Sequence, residues 1–154
     1  MPFSPTQEDY LEAIWDLTMR HGYVRVKDVA TTLEINSSAV SKMIEKLHKD
    51  GIVERRRYMG FRMTPDGYQR GQKLHERRTV IKAFLERMEL DSSDTVHQTV
   101  EGVEHYVSDE VLNNMRHFLD FIQLHPQWWE QYRNWRKFDN VQNEDVQNDE
   151  SFNP

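Results

Sequence analysis

No cysteine occurs in the 154 residues, which excludes a disulfide framework, a thiolate metal site and a cysteine nucleophile. There is no uninterrupted apolar run of the roughly 18 residues that a membrane-spanning helix needs. The N-terminus has no basic stretch leading into an apolar one, so no secretion signal is expected. No internal repeat is found, and a mean hydropathy of -0.86 implies a wet surface. From these absences we expect a cytoplasmic address, with no membrane partner. What remains is adequate for packing: 37% of residues are hydrophobic and 11% aromatic. That suits one large domain or two small ones sharing a core.

A formal net charge of -6 speaks against a polyanion partner until it is mapped along the chain. Between Arg20 and Arg78 there are 14 Lys and Arg against 7 Asp and Glu, while the remainder holds 6 against 19. A basic block inside an acidic chain points to a polyanion for that block. The plainer alternative is a cluster of cations on a solvated face.

Hydrophobic periodicity then organises the chain. Tyr10, Leu11, Ile14 and Trp15 predict a first helix behind an N-cap at Thr6, ended by Gly22. A short helix over Val26 to Leu33 follows. Asn36, Ser37 and Ser38 offer N-cap chemistry to a third helix whose Val40, Met43, Ile44 and Leu47 form one apolar face, with Gly51 at its C′ position. Two extended runs, Ile52 to Arg57 and Phe61 to Thr64, read as a hairpin. Thr64-Pro65 opens a long helix, and Asp91-Ser92-Ser93 interrupts it. Helices near Asp94 to Tyr106 and Asp109 to Leu124 come next, the second capped by Ser108. Pro126 starts a short aromatic helix, with Trp128, Trp129, Tyr132 and Trp135 expected to pack on the core.

This order of elements is that of a winged helix-turn-helix. The expected fold is mainly α: an N-terminal winged helix-turn-helix with a small β-hairpin over 1–64, an all-helical domain over 65–138, and an acidic, unstructured tail over 139–154. The candidate DNA-binding residues are Ser37, Ser38, Ser41, Lys42 and Lys46 on the third helix. Its small hydroxyls allow a close approach to a groove and its lysines suit phosphates. Arg55, Arg56, Arg57 and Arg62 on the hairpin suit the backbone or the minor groove. Base specificity is not legible from serine and lysine.

A second constellation is acidic. Asp9 and Glu12 share a face of the first helix, and Glu101, Glu104 and His105 share one at i, i+3 and i+4. If the two faces meet, four carboxylates repel one another around one imidazole, and a divalent cation reverses the sign of that interaction. Oxygen-rich ligation without sulfur suits Mn2+ or Fe2+ better than copper or structural zinc. The alternatives are ordinary ones: Asp9 as a capping-box partner of Thr6, Glu101 and Glu104 as solvent-facing residues, His105 as a partly buried one. Catalysis is not expected, nor a small organic substrate. Metalloprotease signatures need a histidine where Glu101 stands, and a di-iron site needs two Glu-x-x-His motifs.

Four stretches carry a resemblance: Glu8-Asp9-Tyr10-Leu11-Glu12, Gly22-Tyr23-Val24-Arg25-Val26, Ser37-Ser38-Ala39-Val40-Ser41-Lys42-Met43 and Val100-Glu101-Gly102-Val103-Glu104-His105. From about Pro5 to Leu124 the chain resembles the manganese-regulator branch of the diphtheria toxin repressor family. The resemblance implies a homodimeric repressor that binds double-stranded operator DNA, with helical metal-binding and dimerisation domain after the winged helix. It also implies metal held between the first, fourth and fifth helices. The iron-sensing branch has methionine and cysteine where this chain has Asp9 and Glu101, so hard oxygen ligands favour Mn2+ here, with Fe2+ or another divalent cation as alternatives. One position departs from the pattern: where the family places a ligating histidine on the long helix, this chain has Arg78, which cannot ligate a cation. Either His75 takes over as a ligand or the site accepts a water, or the guanidinium pairs with Glu101, Glu104 or Asp9 and partly stands in for a metal. The latter leaves a site for one cation instead of a pair or, at the limit, a metal-independent regulator with no cofactor.

Overall fold

The first helix, α1 (Pro5–His21), begins one turn before the hydrophobic stripe does. Its N-cap is Ser4, in place of the expected Thr6. The Ser4 hydroxyl accepts from the Gln7 backbone N–H at 3.4 Å, while the Gln7 side chain accepts from the Ser4 N–H at 3.3 Å. Proline at N1 explains the shift: its fixed φ starts the helix at residue 5 and leaves Thr6 already inside it. Asp9 is therefore not a capping residue and is available for other work. Gly22 ends the helix at φ 76°.

In this computed structural model residues 3–90 and 92–149 are described, with side chains as far as 138. After α1 come α2 (Val26–Thr32), α3 (Ser37–Lys49), β1 (Val53–Arg56), β2 (Gly60–Met63), α4 (Pro65–Arg87), α5 (Ser93–Val103), α6 (Asp109–Leu124) and α7 (Pro126–Asp149). The Asp91 part of the expected break lies outside the described residues; α5 starts behind a Ser92 N-cap that accepts from the Thr95 N–H.

Two compact units divide the chain at Ser108 and Asp109. In the first, α3 buries Val40, Ile44 and Leu47 against a core that also holds Leu11, Ile14, Val24, Val29 and Phe61. Met43, counted with the apolar face, is only partly buried. Each fully buried aliphatic or aromatic side chain contributes about 1.5–3 kcal/mol relative to exposure, so this face fixes which side of α3 looks outward. The hairpin is antiparallel, pairing Val53 with Met63 and Arg56 with Gly60, and Val24 bridges Phe61 at its edge.

α1 and α4 approach closely. A Cβ on Gly71 would lie 2.5 Å from Trp15 Cδ1, and one on Gly67 would lie 2.0 Å from the Ile52 carbonyl oxygen. Bare backbone at these two positions lets α4 lie against α1 and the root of the hairpin, and so brings Arg78 beside the acids of α1.

The second unit differs from expectation in two ways. α7 is not short but helical to Asp149; the polar stretch from Asp139 contains no proline or glycine before Pro154, so no residue type that breaks a helix interrupts it. Only residues 150–154 of the expected tail lie outside the described part. Second, of the aromatic stretch Trp129 is buried, whereas Trp128, Tyr132 and Trp135 are exposed in the single chain, Trp135 by 61%. Among the described residues no helix is long and apolar enough to cross a membrane.

Candidate metal centre and nucleic-acid interface

Helical spacing puts Glu8, Asp9 and Glu12 on one side of α1, while the last turn of α5 presents Glu101 and the turn that follows it presents Glu104 and His105. These two stretches, some ninety residues apart, meet. His105 Nε2 lies 3.0 Å from Asp9 Oδ1, and its Nδ1 lies 2.8 Å from Glu8 Oε2. Asp9, Glu104 and His105 each offer one ligand atom, all within 4.8 Å of one another. Glu104 is buried, which an unpaired carboxylate does not tolerate; Asp9 is half-exposed and gives the cluster an opening to solvent.

Glu12 and Glu101 line the same cleft but turn to Arg78 on α4. Arg78 Nη1 donates to Glu104 Oε1 at 3.0 Å and to Glu12 Oε2 at 3.3 Å, and Nη2 stands 3.7 Å from Glu101 Oε1. Glu101 also meets His97 at 3.3 Å. His75 is not brought to the cluster, a correction to the idea that it takes over as a ligand. Its ring stacks on Trp15 at 4.4 Å and its Nδ1 faces Asp16 at 3.6 Å. A three-residue offset from Arg78 turns it about 60° around the helix, far enough to lie over α1's buried tryptophan instead of the acids.

Burial is the largest influence on Glu12 and Glu104 and raises both carboxyls above the ordinary range; the Arg78 guanidinium pulls each back without cancelling it. For His105 burial acts downward, but the Glu8 hydrogen bond and the charges of Asp9, Glu104 and Glu8 outweigh it and raise the imidazole above its ordinary value. Arg78 is likewise pushed down by burial and raised further by Glu12, Glu104 and Glu101. The donor set of two carboxylates and one imidazole, with no sulfur, fits a hard divalent cation.

Sequence reasoning passed over Glu8. Its signal was present: Glu8 and Glu12 stand at i, i+4 next to Asp9, three acids on one face and the adjoining flank of a single helix, an arrangement that repels itself without a cation nearby.

The basic surface lies on α3 and the hairpin. Asn36 caps α3 and accepts from the Ala39 N–H at 2.8 Å. Ser37, Ser38, Ser41, Lys42 and Lys46 are all exposed. Ser38 is held by Asn36 at 2.7 Å, and Ser41 donates to the Ser37 carbonyl at 2.9 Å. Arg55, Arg56 and Arg57 are exposed on β1 and the turn; the Arg57 guanidinium lies 4.9 Å from the Tyr58 ring centre. Arg62 pairs tightly with Glu54 across the hairpin, and Arg56 reaches the same carboxylate at 3.3 Å. Two of the four hairpin arginines are thus partly neutralised from within.

Two family models match this chain in succession: "Iron dependent repressor, N-terminal DNA binding domain" over residues 2–61, and "Iron dependent repressor, metal binding and dimerisation domain" over 64–129. The chain belongs to the iron dependent repressor family. Members of this family are metal-responsive DNA-binding regulators, and the metal-independent alternative loses its footing. Among relatives, the HTH-type transcriptional regulator MntR of Listeria welshimeri is 38% identical over 123 residues, covering 80% of this chain and 86% of that one. The MntR of Geobacillus thermodenitrificans is 34% identical over 134 residues, covering 87% and 94%. Among solved structures, the metal-dependent transcriptional regulator MtsR superposes with a TM-score of 0.70 at 29% identity, and the manganese regulator SloR with 0.67 at 28%. Each comparison covers 77% of this chain and 55% of the solved one, so the chain spans just over half the length of those proteins. For this member of the family, then, the winged helix and the acid–imidazole cluster fall within the DNA-binding and metal-binding domains in turn, except that Asp9, Glu12 and Glu8 reach the cluster from the first.

Proposed function

We propose that this repressor holds a divalent cation, Mn2+ foremost, on Asp9, Glu104 and His105, and binds operator DNA as a homodimer when that cation is present. The observation that carries this is the convergence of carboxylates from α1 and α5 around one imidazole, Glu104 among them buried. Hard oxygen donors support Mn2+ or Fe2+ over softer ions, and solved structures similar to this chain include a manganese regulator and a manganese-dependent transcriptional repressor. We take residues 1–64 as the DNA-binding part and 65–138 as the metal-binding and dimerisation part, a division supported by the two family matches meeting between residues 61 and 64. A cytoplasmic address suits a regulator of this kind.

In such a site a bound dication supplies the positive charge that α1 and α5 lack between them. Glu8 is a positioning residue: it accepts the Nδ1 proton of His105 and so leaves Nε2, which faces Asp9, as the ligating nitrogen. Asp9 ties α1, and with it the winged helix, to the end of α5. A winged helix fixed in this way needs less ordering when it meets DNA, and by linkage operator DNA tightens metal binding by the same factor. Ser37, Ser38, Ser41, Lys42 and Lys46 then face the major groove, while Arg55, Arg56, Arg57 and Arg62 meet phosphates or the minor groove. In a dimer the two α3 helices must match successive major grooves, about 34 Å apart.

Calorimetric titration of the chelator-stripped protein with Mn2+, paired with fluorescence-anisotropy DNA binding with and without the ion, tests this. Expected are saturable heat in the wild type, its loss in His105→Ala, and tighter DNA binding with metal. Absence of heat together with DNA affinity indifferent to Mn2+ overturns the reading.

A further inference from the structure

The cleft holding the acids is lined by five carboxylates, Asp9, Glu12, Asp16, Glu101 and Glu104, yet only Asp9 and Glu104 join the imidazole in the ligand cluster. Glu12 and Glu101, with a second contact to Glu104, are engaged by one guanidinium. We propose that Arg78 is a permanent resident cation of this site, filling the Glu12–Glu101 half of the cleft so that each chain takes a single divalent ion, on Asp9, Glu104 and His105. The inference rests on the metal reading above and deepens it by fixing the stoichiometry.

Three observations support it. Arg78 Nη1 stands at direct hydrogen-bond distance from Glu104 and Glu12, 3.0 and 3.3 Å, so any ion bridging those two carboxylates has to occupy the space of that nitrogen. The Arg78 side chain is held within the structure, 27% exposed, against Glu12 at 15% and Glu104 at 8%, and cannot swing away without leaving buried charges unpaired. Arg78 already places a fixed charge in this half of the cleft, so a second dication would have to stand beside a guanidinium that never loses its proton. Arginine offers no lone pair, so it neutralises these acids without ligating anything.

The arrangement also divides the labour between the two cations. Arg78 joins α4 to α1 through Glu12 and to α5 and its C-cap through Glu101 and Glu104 without any metal. Asp9 and His105 are the part of the α1–α5 junction left for the ion to secure.

The test counts ions in the full-length, chelator-stripped protein after equilibrium dialysis against Mn2+, by elemental analysis per chain, with electron paramagnetic resonance of the same samples. The wild type is expected to hold one ion per chain with the hyperfine pattern of an isolated Mn2+. Arg78→Lys keeps the charge and should also hold one. Arg78→His removes the fixed charge, supplies a nitrogen ligand, and should double the count and broaden the spectrum through spin coupling between neighbouring ions. Two ions in the wild type overturn the proposal and leave the metal reading standing; none in the wild type overturns the metal reading itself. A folded Arg78→His protein that still holds one ion also overturns the proposal, and if that variant fails to fold, two ions in Arg78→Lys do so.

Discussion

Gly71→Ala is the change that most directly asks whether the α1–α4 approach sets the site. The added Cβ would lie 2.5 Å from Trp15 Cδ1 and 2.8 Å from both its Cβ and Cγ. Carbon atoms rest at about 3.5–4.0 Å, so α1 and α4 have to separate by about 1 Å or the indole has to leave its place. Overpacking of this kind costs about 1–3 kcal/mol, and the better helix propensity of alanine returns about 0.5–1 kcal/mol. The net expectation is a loss of about 1–2 kcal/mol, read from urea unfolding of the metal-free protein. The effect does not stop at stability. Trp15 follows Glu12 by three residues on α1, and Arg78 follows Gly71 by two turns on α4, so the same separation loosens the contacts around Glu12 and Glu104. Misplacing such supporting contacts weakens metal binding roughly tenfold or more, measured by Mn2+ titration. An alanine variant at least as stable as the wild type, with unchanged Mn2+ affinity, refutes the claim that this close approach positions the acids.

Glu54→Gln frees Arg62 and Arg56 from their shared carboxylate; DNA affinity should rise and the salt dependence steepen by up to about two phosphate contacts, whereas an unchanged slope in anisotropy titrations means that the hairpin does not touch DNA. The raised values of Glu12, Glu104 and His105 fix the pH behaviour. Groups whose folded value is raised contribute stability below their ordinary value and lose it as pH climbs through the raised one, so the chelated protein should be more stable at about pH 6 than at about pH 8 as His105 titrates. Mn2+ affinity should run the other way, since the Nε2 proton must leave before the ring can ligate; equal affinities at the two pH values sink this account. Ser4→Ala removes one member of the capping box and should cost about 1 kcal/mol in unfolding free energy, with no loss meaning that Pro5 alone fixes the helix start.

Periodic patterns were the most legible part of the sequence. Val40, Ile44 and Leu47 repeat at helical spacing, so both the existence of α3 and its outward serines and lysines follow from counting. The paired acidic motifs could be read as two faces, but spacing within a helix says nothing of whether two helices meet; that depends on Gly67 and Gly71, whose role is visible only once α4 lies against α1 and the hairpin root. Local competition decided the misses. Proline at N1 moved the cap from Thr6 to Ser4, and ring stacking on Trp15 drew His75 away from the acids. Glu8 escaped notice because its neighbour Asp9 already explained the charge on that face, and only the two-sided grip on His105 separates their roles.

His48 at the end of α3 sets its Nδ1 2.9 Å from the Val53 carbonyl, the Thr64 hydroxyl donates to Gly51 at 2.6 Å, and Val24 and Phe61 exchange backbone hydrogen bonds. The hairpin is thereby latched at its base to the helix before it and to the loop after α1. With its base tied on both sides, the hairpin shares its footing with α3, so a displacement of α1 passed on from Asp9 is expected to carry the serine-bearing helix and the arginine-bearing hairpin together.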